Sequence, residues 1–332
     1  MINNILLYNS GGGIGDAIQI LPLIDTLKRE LKNINILYLS AHSNHFNTTL
    51  RDYKSPIDTL DLNIKYFGFR WWHSLIVKNR VKKKNINKFD LILDLQSKIR
   101  NSLILKMIPH KYFISACFDF NLCNPSLKNI KKQKKTIDTI LDLINLLLKK
   151  NFQFIDFDIN KIDNNFFTES KKLLPNNNYV GFSITQGNVY RKKEWPLQNI
   201  VKISHKLIEI KKKPVFFIEK KNKELKDKIE KLIPTALFPE HETSISSPAL
   251  VTCLAKRLDF AITIDNGVMH MLGLAKVPMI SLFGPTDSEK FSLNYKNSAV
   301  LDSKKIYNTK NISAITVEDV LQTAKRNLNF SY

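Results

Sequence analysis

Cysteine is scarce in this 332-residue chain: Cys117, Cys123 and Cys253 are the whole complement, and no two form a CxxC pair. So odd and sparse a set excludes a disulfide framework and a structural zinc site, and the thiols are read as reduced. Long apolar runs are missing too. No stretch approaches the roughly 18 residues of a membrane-spanning helix. The start, "MINNILLYNS", lacks the basic segment and the apolar length of a signal peptide. The expectation is a cytoplasmic protein. Acidic residues are in deficit, 30 against 51 Lys and Arg, for a formal net charge of +21. Such an excess draws anions: a phosphorylated substrate, a membrane surface or nucleic acid. Lys, Asn and Ile are abundant everywhere, however, so compositional drift explains the charge equally simply. No recognition motif for nucleic acid accompanies it, and nucleic acid is not expected as a partner.

What is present reads as alternating strands and helices. "NILLYN", a small-residue turn, a helix over about 16 to 32 and the strand "INILYLS" make a βαβ unit, the building block of a parallel sheet. "FDLILDLQ" (89–96) has the continuous apolar run of a strand covered on both faces. "KTIDTILDLINLLLKK" sets Ile137, Ile140, Leu141, Ile144 and Leu148 on one helical face. Residues 160–178 are polar and Asn-rich and read as a linker, in which "FTESKKLL" also suits a short helix. Beyond it the alternation resumes with "YVGFSIT", "PVFFIE", "DFAITI" and "VPMISLF" as strands. The turns "DNG" and "GPTD" then fall at the carboxyl ends of neighbouring strands, where open α/β sheets bind ligands. Thr316 and Asp319 stand in the positions of a capping box ahead of a last helix. The length suits two domains.

Three stretches carry chemistry. In "NSGGGIGDAIQILP" (9–22), Gly11 and Gly13 fit a dinucleotide fingerprint, but Asp16 takes the third glycine's place and would repel a pyrophosphate. A phosphate loop fails as well, for want of Lys and Ser or Thr after the last glycine. The glycines permit positive φ and close approach by another molecule. Asp16 is then either a general base at a cleft edge or a plain helix cap. In "SITQGNVYRKKEWP" (183–196), Ser183, Thr185, Arg191, Lys192 and Lys193 follow a strand and suit a diphosphate; the bland alternative is a solvated basic loop. In "IDNGVMH", a helix start beside Asp265, Asn266, Gly267 and His270 offers N–H groups to phosphate. Its alternative is Asp265 as a cap and His270 as a core residue. Asp156-Phe-Asp158 has the form of a metal-binding Asp-x-Asp, yet reads more simply as solvated carboxylates on an alternating strand.

These stretches together resemble glycosyltransferase family 9, the heptosyltransferases of lipopolysaccharide core assembly. The matching blocks are "GIGDAIQILP", "FDLILDLQSKIRNSLI", "KEWP" and "IDNGVMHMLGLAKVPMISLFGPTD", in family order across most of the chain. The resemblance implies an α/β fold of the GT-B type, two Rossmann-like domains facing across a cleft. Residues 1–165 would be the acceptor-side domain and 166–315 the nucleotide-sugar domain, with 316–332 a helix packing back on the first. It implies inverting transfer without a metal and with no resident cofactor; the donor substrate is a nucleotide sugar, typically ADP-heptose. Asp16 matches the family's base and Lys193 a donor-phosphate ligand. Asp265, Asn266, Gly267, Val268 and His270 match the donor-site turn, with Thr286 in the next turn. Thr185 corresponds to a phosphate-contacting hydroxyl, and Glu219 or Glu224 to the acid that holds the donor ribose.

On the acceptor side the candidates are Gly13, Gln96, Arg70 and Trp72. The segment "KYFGFRWWHSLIVKNRVKKKNINKF" (65–89) mixes aromatics with cations. It suits a lipid-linked or phosphorylated glycan acceptor at the inner membrane surface, or is a buried aromatic helix with a solvated Lys run. The sequence departs from the family where "FSITQGN" replaces His-Pro-Gly-Ala and where "FFIEKKNKE" lacks a small pair. These departures motivate a second reading, a non-catalytic relative that binds a nucleotide or glycan.

Overall fold

The computed structural model describes residues 2–96, 98–127, 130–187 and 189–327. By its contacts the chain divides into two compact units, Met1–Phe157 and Asp158–Tyr332, each built on a five-stranded sheet whose paired strands all run parallel.

The first unit holds β1 (Asn4–Asn9), β2 (Asn35–Ser40), β3 (Asp58–Thr59), β4 (Phe89–Asp94) and β5 (His110–Ser115), in the order β3-β2-β1-β4-β5. Ile5, Leu6, Leu7 and Tyr8 of β1 are fully buried, so both faces of this central strand are covered and its apolar run does not alternate. The chain steps outward from β1 to β3, then returns to lay β4 on β1's other side. β1 and β4 therefore flank the switch point, where the diverging connections open a crevice at the carboxyl edge. The helix expected over 16 to 32 is two helices, Ile14–Ile18 and Leu21–Glu30, the second with Pro22 in its first turn. Proline lacks an N–H and belongs at a helix start rather than inside one. The helix Thr136–Leu148 buries Ile140, Leu141 and Ile144 as its periodicity requires, joined by Leu143, while Ile137 and Leu148 stay half-exposed.

The second unit holds β6 (Tyr179–Ser183), β7 (Lys213–Phe216), β8 (Leu258–Ile264), β9 (Met279–Phe283) and β10 (Ser298–Asp302), in the order β10-β9-β8-β6-β7. Its switch point lies between β6 and β8. The two units thus use different strand orders, 3-2-1-4-5 in the first and 2-1-3-4-5 in the second, both of which place ligands at the reversal. β8 and β9 pair from Ala261/Met279 to Ile264/Leu282, so the "DNG" and "GPTD" turns do leave adjacent strands.

The structure refines the sequence reading. By contacts the chain passes from one unit to the next at 157/158, and residues 328–332 of the expected 316–332 segment lie outside the described residues. Most of the supposed linker is an amphipathic helix, Asn164–Leu173, with Phe166 and Ser170 buried and Glu169 accepting from the Thr243 hydroxyl at 2.8 Å. It extends the short helix that "FTESKKLL" suggests back to Asn164. The last helix, Val317–Asn327, belongs to the second unit. Val317, Val320, Leu321 and Ala324 are part of that unit's core, and Trp195 donates from Nε1 to the Ile315 carbonyl just ahead of it (2.8 Å). Its capping box forms as the sequence predicts: Thr316 N–H donates to Asp319 (2.7 Å), and Asp319 N–H to Thr316 Oγ1 (3.1 Å).

Candidate active site

After β1 the backbone must turn into a helix within four residues, and it does so almost without side chains. A Cβ on Gly11 would lie 2.8 Å from Cβ, Cγ and Oδ2 of Asp16; one on Gly12 would lie 2.8–3.0 Å from the His42 ring. The glycines make room for a carboxylate and an imidazole. They do not serve a left-handed backbone, because among the described glycines only Gly68 has positive φ. Asp16 is half-exposed in the helix Ile14–Ile18, and its Oδ2 accepts a long bond from Gly13 N–H (3.3 Å). His45 steadies the turn by donating from Nε2 to the Gly12 carbonyl (3.2 Å).

A buried polar strut supports the turn from below. Asn9 Oδ1 accepts from Gly11 N–H and from Gln96 Nε2, each at 2.9 Å, tying the end of β1 to the end of β4. Gln96 N–H donates to Asp94 Oδ1 (2.9 Å), and Asp94 Oδ2 accepts from the Ser102 and Ser115 hydroxyls. Burial pushes the Asp94 carboxyl up to about 6, against the pull of those hydrogen bonds. Gln96, expected on the acceptor side, therefore has its amide donor and its backbone N–H engaged in holding two strands together. Arg70 and Trp72 are exposed, the guanidinium 5.1 Å from the Trp72 ring centre. Their sequence neighbours Tyr66 and Phe69 adjoin the turn, meeting the His42 ring edge-on at 5.9 and 6.0 Å.

The second unit builds its crevice differently. Asn266 caps the helix Gly267–Leu274, its Oδ1 accepting from Met269 N–H (2.9 Å). Its Nδ2 reaches β6, donating to Ser183 Oγ (2.7 Å) and the Thr185 carbonyl (2.8 Å). One amide thus fixes the helix start against the neighbouring strand. Lys193 donates from Nζ to Asp265 Oδ2 (2.5 Å) and to the Asp265 carbonyl (3.0 Å), with side chains only 12% and 8% exposed. Lys193 N–H donates to Gln186 Oε1 (2.8 Å), which holds the basic loop in place. Two of the three ammonium donors are used, which leaves one. The cap is Asn266 and not Asp265, because Asp265 is the partner of Lys193. His270 is buried in the first turn of the same helix, while Gly267 and Val268 stay half-exposed at its start.

Of the predicted donor-side residues, the structure gathers Thr185, Lys193, Asp265 and Asn266 into one hydrogen-bonded set, with Gly267, Val268 and His270 on the helix it caps. Glu219 lies one strand away, after β7, exposed and paired with Lys221. Thr286 lies after β9; its hydroxyl is buried without a partner among the described residues, and its carbonyl accepts from Lys304. Sequence reasoning passed over Lys304 and Gln186, as well as Asp94, His42 and His45. Asp94 stands in the matched "DLQ" block, but no local pattern marks either histidine. Asp158 of the Asp-x-Asp caps a 3₁₀ turn by accepting from Asn160 N–H (3.0 Å). Among the described residues no three His, Cys, Asp or Glu side chains gather as metal ligands.

With this geometry in place, the comparisons with known proteins are specific. A family model described as glycosyltransferase family 9 (heptosyltransferase) matches residues 79–321. Lipopolysaccharide heptosyltransferase 1 of Campylobacter coli is 23% identical over 334 residues, covering 94% of this chain and 95% of that protein. Among solved structures, a family 9 glycosyl transferase from Veillonella parvula aligns over 99% of this chain and 98% of its own, with TM-score 0.71 and 17% identity. The E. coli heptosyltransferase WaaC with ADP aligns over 98% of both chains, with TM-score 0.66 and 15% identity. A UDP-GlcNAc 2-epimerase from Methanocaldococcus jannaschii aligns at TM-score 0.58, covering 100% of this chain and 94% of its own at 15% identity. At such identities the structural likeness establishes the fold, which is GT-B as expected.

Proposed function

The chain belongs to glycosyltransferase family 9, the heptosyltransferases, and from that premise we propose that it moves a heptose from ADP-heptose onto a lipopolysaccharide-core acceptor, with inversion and without a metal. The observation that carries the reading is the Lys193–Asp265–Asn266 set at the β6/β8 switch point. It holds a cation and a helix N-terminus together at the edge where an α/β sheet takes phosphates. Two relatives suggest the donor and acceptor classes: E. coli WaaC, solved with ADP, and the lipopolysaccharide heptosyltransferase 1 of Campylobacter coli.

Inverting transfer needs one base on the face of the sugar opposite the leaving group. Asp16 takes that part: its carboxylate is half-exposed and held by a single long hydrogen bond, so it accepts the proton of the acceptor hydroxyl as that oxygen attacks the anomeric carbon. The sugar passes through an oxocarbenium-like state while charge collects on the departing diphosphate. The remaining Lys193 donor and the first N–H groups of the helix Gly267–Leu274 receive that charge, which is the service a metal would otherwise give. Thr185 and Thr286, after the strands on either side of β8, add hydroxyls, and Glu219 or Glu224 takes the ribose. The reaction runs on the cytoplasmic side of the inner membrane, where a lipid-linked acceptor is presented.

The test is transfer of heptose from ADP-heptose to a heptose-deficient core acceptor, with and without Asp16→Asn. The wild-type chain should transfer and the variant should lose about 10²–10⁴-fold in rate. Tight ADP binding with no transfer to any acceptor would instead favour a binding protein.

A further inference from the structure

The segment from 65 to 84 displays apolar surface from a rigid base. Tyr66, Phe69, Trp71, Trp72 and Leu75 are 59%, 38%, 59%, 54% and 76% exposed. Soluble surfaces seldom gather so many large apolar side chains in ten residues. Loose chain does not explain it, because the residues between them are pinned. Phe67 is fully buried, and its carbonyl accepts from the buried Tyr8 hydroxyl (2.8 Å). Gly68 has φ of +85°, accepts from Arg100 Nε (2.8 Å) and donates to His73 Nδ1 (3.1 Å); a Cβ there would lie 2.4 Å from the Tyr8 oxygen. The helix His73–Lys83 then buries His73, Val77 and Val81 on one face. Its other face carries Leu75, Lys78 and Lys82, all exposed.

Charge decides what such a surface meets. Between Asp61 and Asp90 there is no Asp or Glu, while Lys65, Arg70, Lys78, Arg80, Lys82, Lys83, Lys84 and Lys88 are all cationic. A second copy would bring the same sign against it. An anionic bilayer supplies both what the aromatics and what the cations prefer: Trp and Tyr settle at headgroup depth, and Lys and Arg meet the lipid phosphates. No helix among the described residues is long and apolar enough to cross a membrane, so contact would be from one side. We propose that Tyr66, Phe69, Trp71, Trp72 and Leu75, with the basic face of the helix His73–Lys83, form a docking surface for an anionic lipid bilayer. The surface adjoins the Asp16 turn. The His42 ring lies edge-on to Tyr66 and Phe69 and fills the space beside Gly12. Docking there brings the Asp16 carboxylate to headgroup level, where the first sugars of a lipid-linked glycan stand. That last consequence rests on the proposed transferase reading; the docking itself does not.

The test is flotation of the full chain with vesicles of phosphatidylcholine alone and with a quarter phosphatidylglycerol, with no sugar nucleotide present. The wild-type chain should float with the anionic vesicles and not with the neutral ones, release as salt rises toward 0.5 M, and show a blue shift of tryptophan emission. Trp71→Ser with Leu75→Ser, and separately Lys78→Glu with Lys82→Glu, should each weaken binding at least tenfold while leaving the melting temperature unchanged. Vesicle binding indifferent to both pairs, no binding at all, or a dimer in sedimentation that Leu75→Ser dissolves would overturn the proposal. Loss of heptosyl transfer with vesicle binding intact would count against the function proposed above and leave the docking surface standing.

Discussion

Two parallel sheets end here in two unlike crevices. At the β1/β4 end the key carboxylate, Asp16, is half-exposed, touched by one long hydrogen bond and flanked by glycines that keep other atoms away. At the β6/β8 end the key groups are bound to each other: Lys193 to Asp265, Asn266 to Ser183, Thr185 and Met269, with the ion pair largely withdrawn from water. The difference matches the two roles proposed above. A base must change its protonation during the reaction, so strong fixed partners would hinder it. A phosphate site must hold its dipoles and charges in place before the ligand arrives, because reorganising them later costs free energy. The first crevice therefore concentrates chemistry with little stability, and the second couples the two.

The largest expected effects separate those roles. Asp16→Asn should leave stability within about 0.5 kcal/mol, since it removes no packed contact. It should cut transfer about 10²–10⁴-fold with ADP affinity unchanged, as turnover and calorimetry would show. Lys193→Met should do the reverse of the first part. It leaves Asp265 buried without its cation, at a cost of about 3–5 kcal/mol for breaking such a pair, and ADP binding should fail with it. Adding Asp265→Asn to Lys193→Met should restore much of the lost stability and none of the binding. If Lys193→Met melts like wild type, the second crevice is not the coupled structure described.

Next in size is a response to pH, in which the units are alike in sign and different in range. Each holds a buried carboxyl pushed well above its ordinary value: Asp94, up to about 6, and Glu240, up to about 7, both mainly by burial. A raised acid binds more protons folded than unfolded, so stability falls as pH rises through the interval. For Asp94 the interval runs from about 4 to about 6, and for Glu240 from about 4.5 to about 7. Each amounts to on the order of 3 kcal/mol. Asp94→Asn should flatten the lower part of the stability–pH curve and Glu240→Gln the upper part, measured by urea unfolding at half-unit steps. A wild-type curve that climbs between pH 4.5 and 7 would contradict both assignments.

The same contrast governs how much was legible in the sequence. The second crevice showed itself because its residues are close in sequence and of telling type: Asp265, Asn266, Gly267 and His270 follow one strand, and Lys193 precedes the anchoring Trp195. Even so, the division of labour between Asp265 and Asn266 was out of reach, since either can cap a helix and only the position of Lys193 across the sheet decides it. In the first crevice Asp16 was visible and its surroundings were not. Gln96 was visible in the "DLQ" block, but its bond to Asn9, 2.9 Å long, was not, because the two residues meet across the sheet. His42 and His45 follow β2, and no local pattern marks either of them. β3 escaped for a simpler reason, being two residues long. Elements formed by their own periodicity were readable; contacts made by strands meeting across a sheet were not.

The smallest effect sharpens the comparison most directly, because it makes one substitution in both places. Gly12→Ala sets a methyl 2.8–3.0 Å from the His42 ring, which is exposed and touches only other exposed rings. The ring can turn aside, and the cost should be a few tenths of a kcal/mol, near the noise of a surface substitution. Gly284→Ala sets its methyl 2.8 Å from Ile312 Cβ and 2.9 Å from Ile312 N and the Lys310 carbonyl. Those atoms are backbone or next to it, and Ile312 is a buried core residue that cannot yield without moving the segment that carries Ile315, the acceptor of Trp195. Overpacking of that kind costs about 1–3 kcal/mol. The two melting temperatures should therefore differ, with Gly284→Ala the lower. Since Trp195 stands two residues from Lys193, the Gly284 variant should also bind ADP more weakly, whereas Gly12→Ala should bind it like wild type. Equal losses at the two glycines would mean that the first crevice is packed as tightly as the second, and the distinction between an open base and a braced phosphate site would have to be given up.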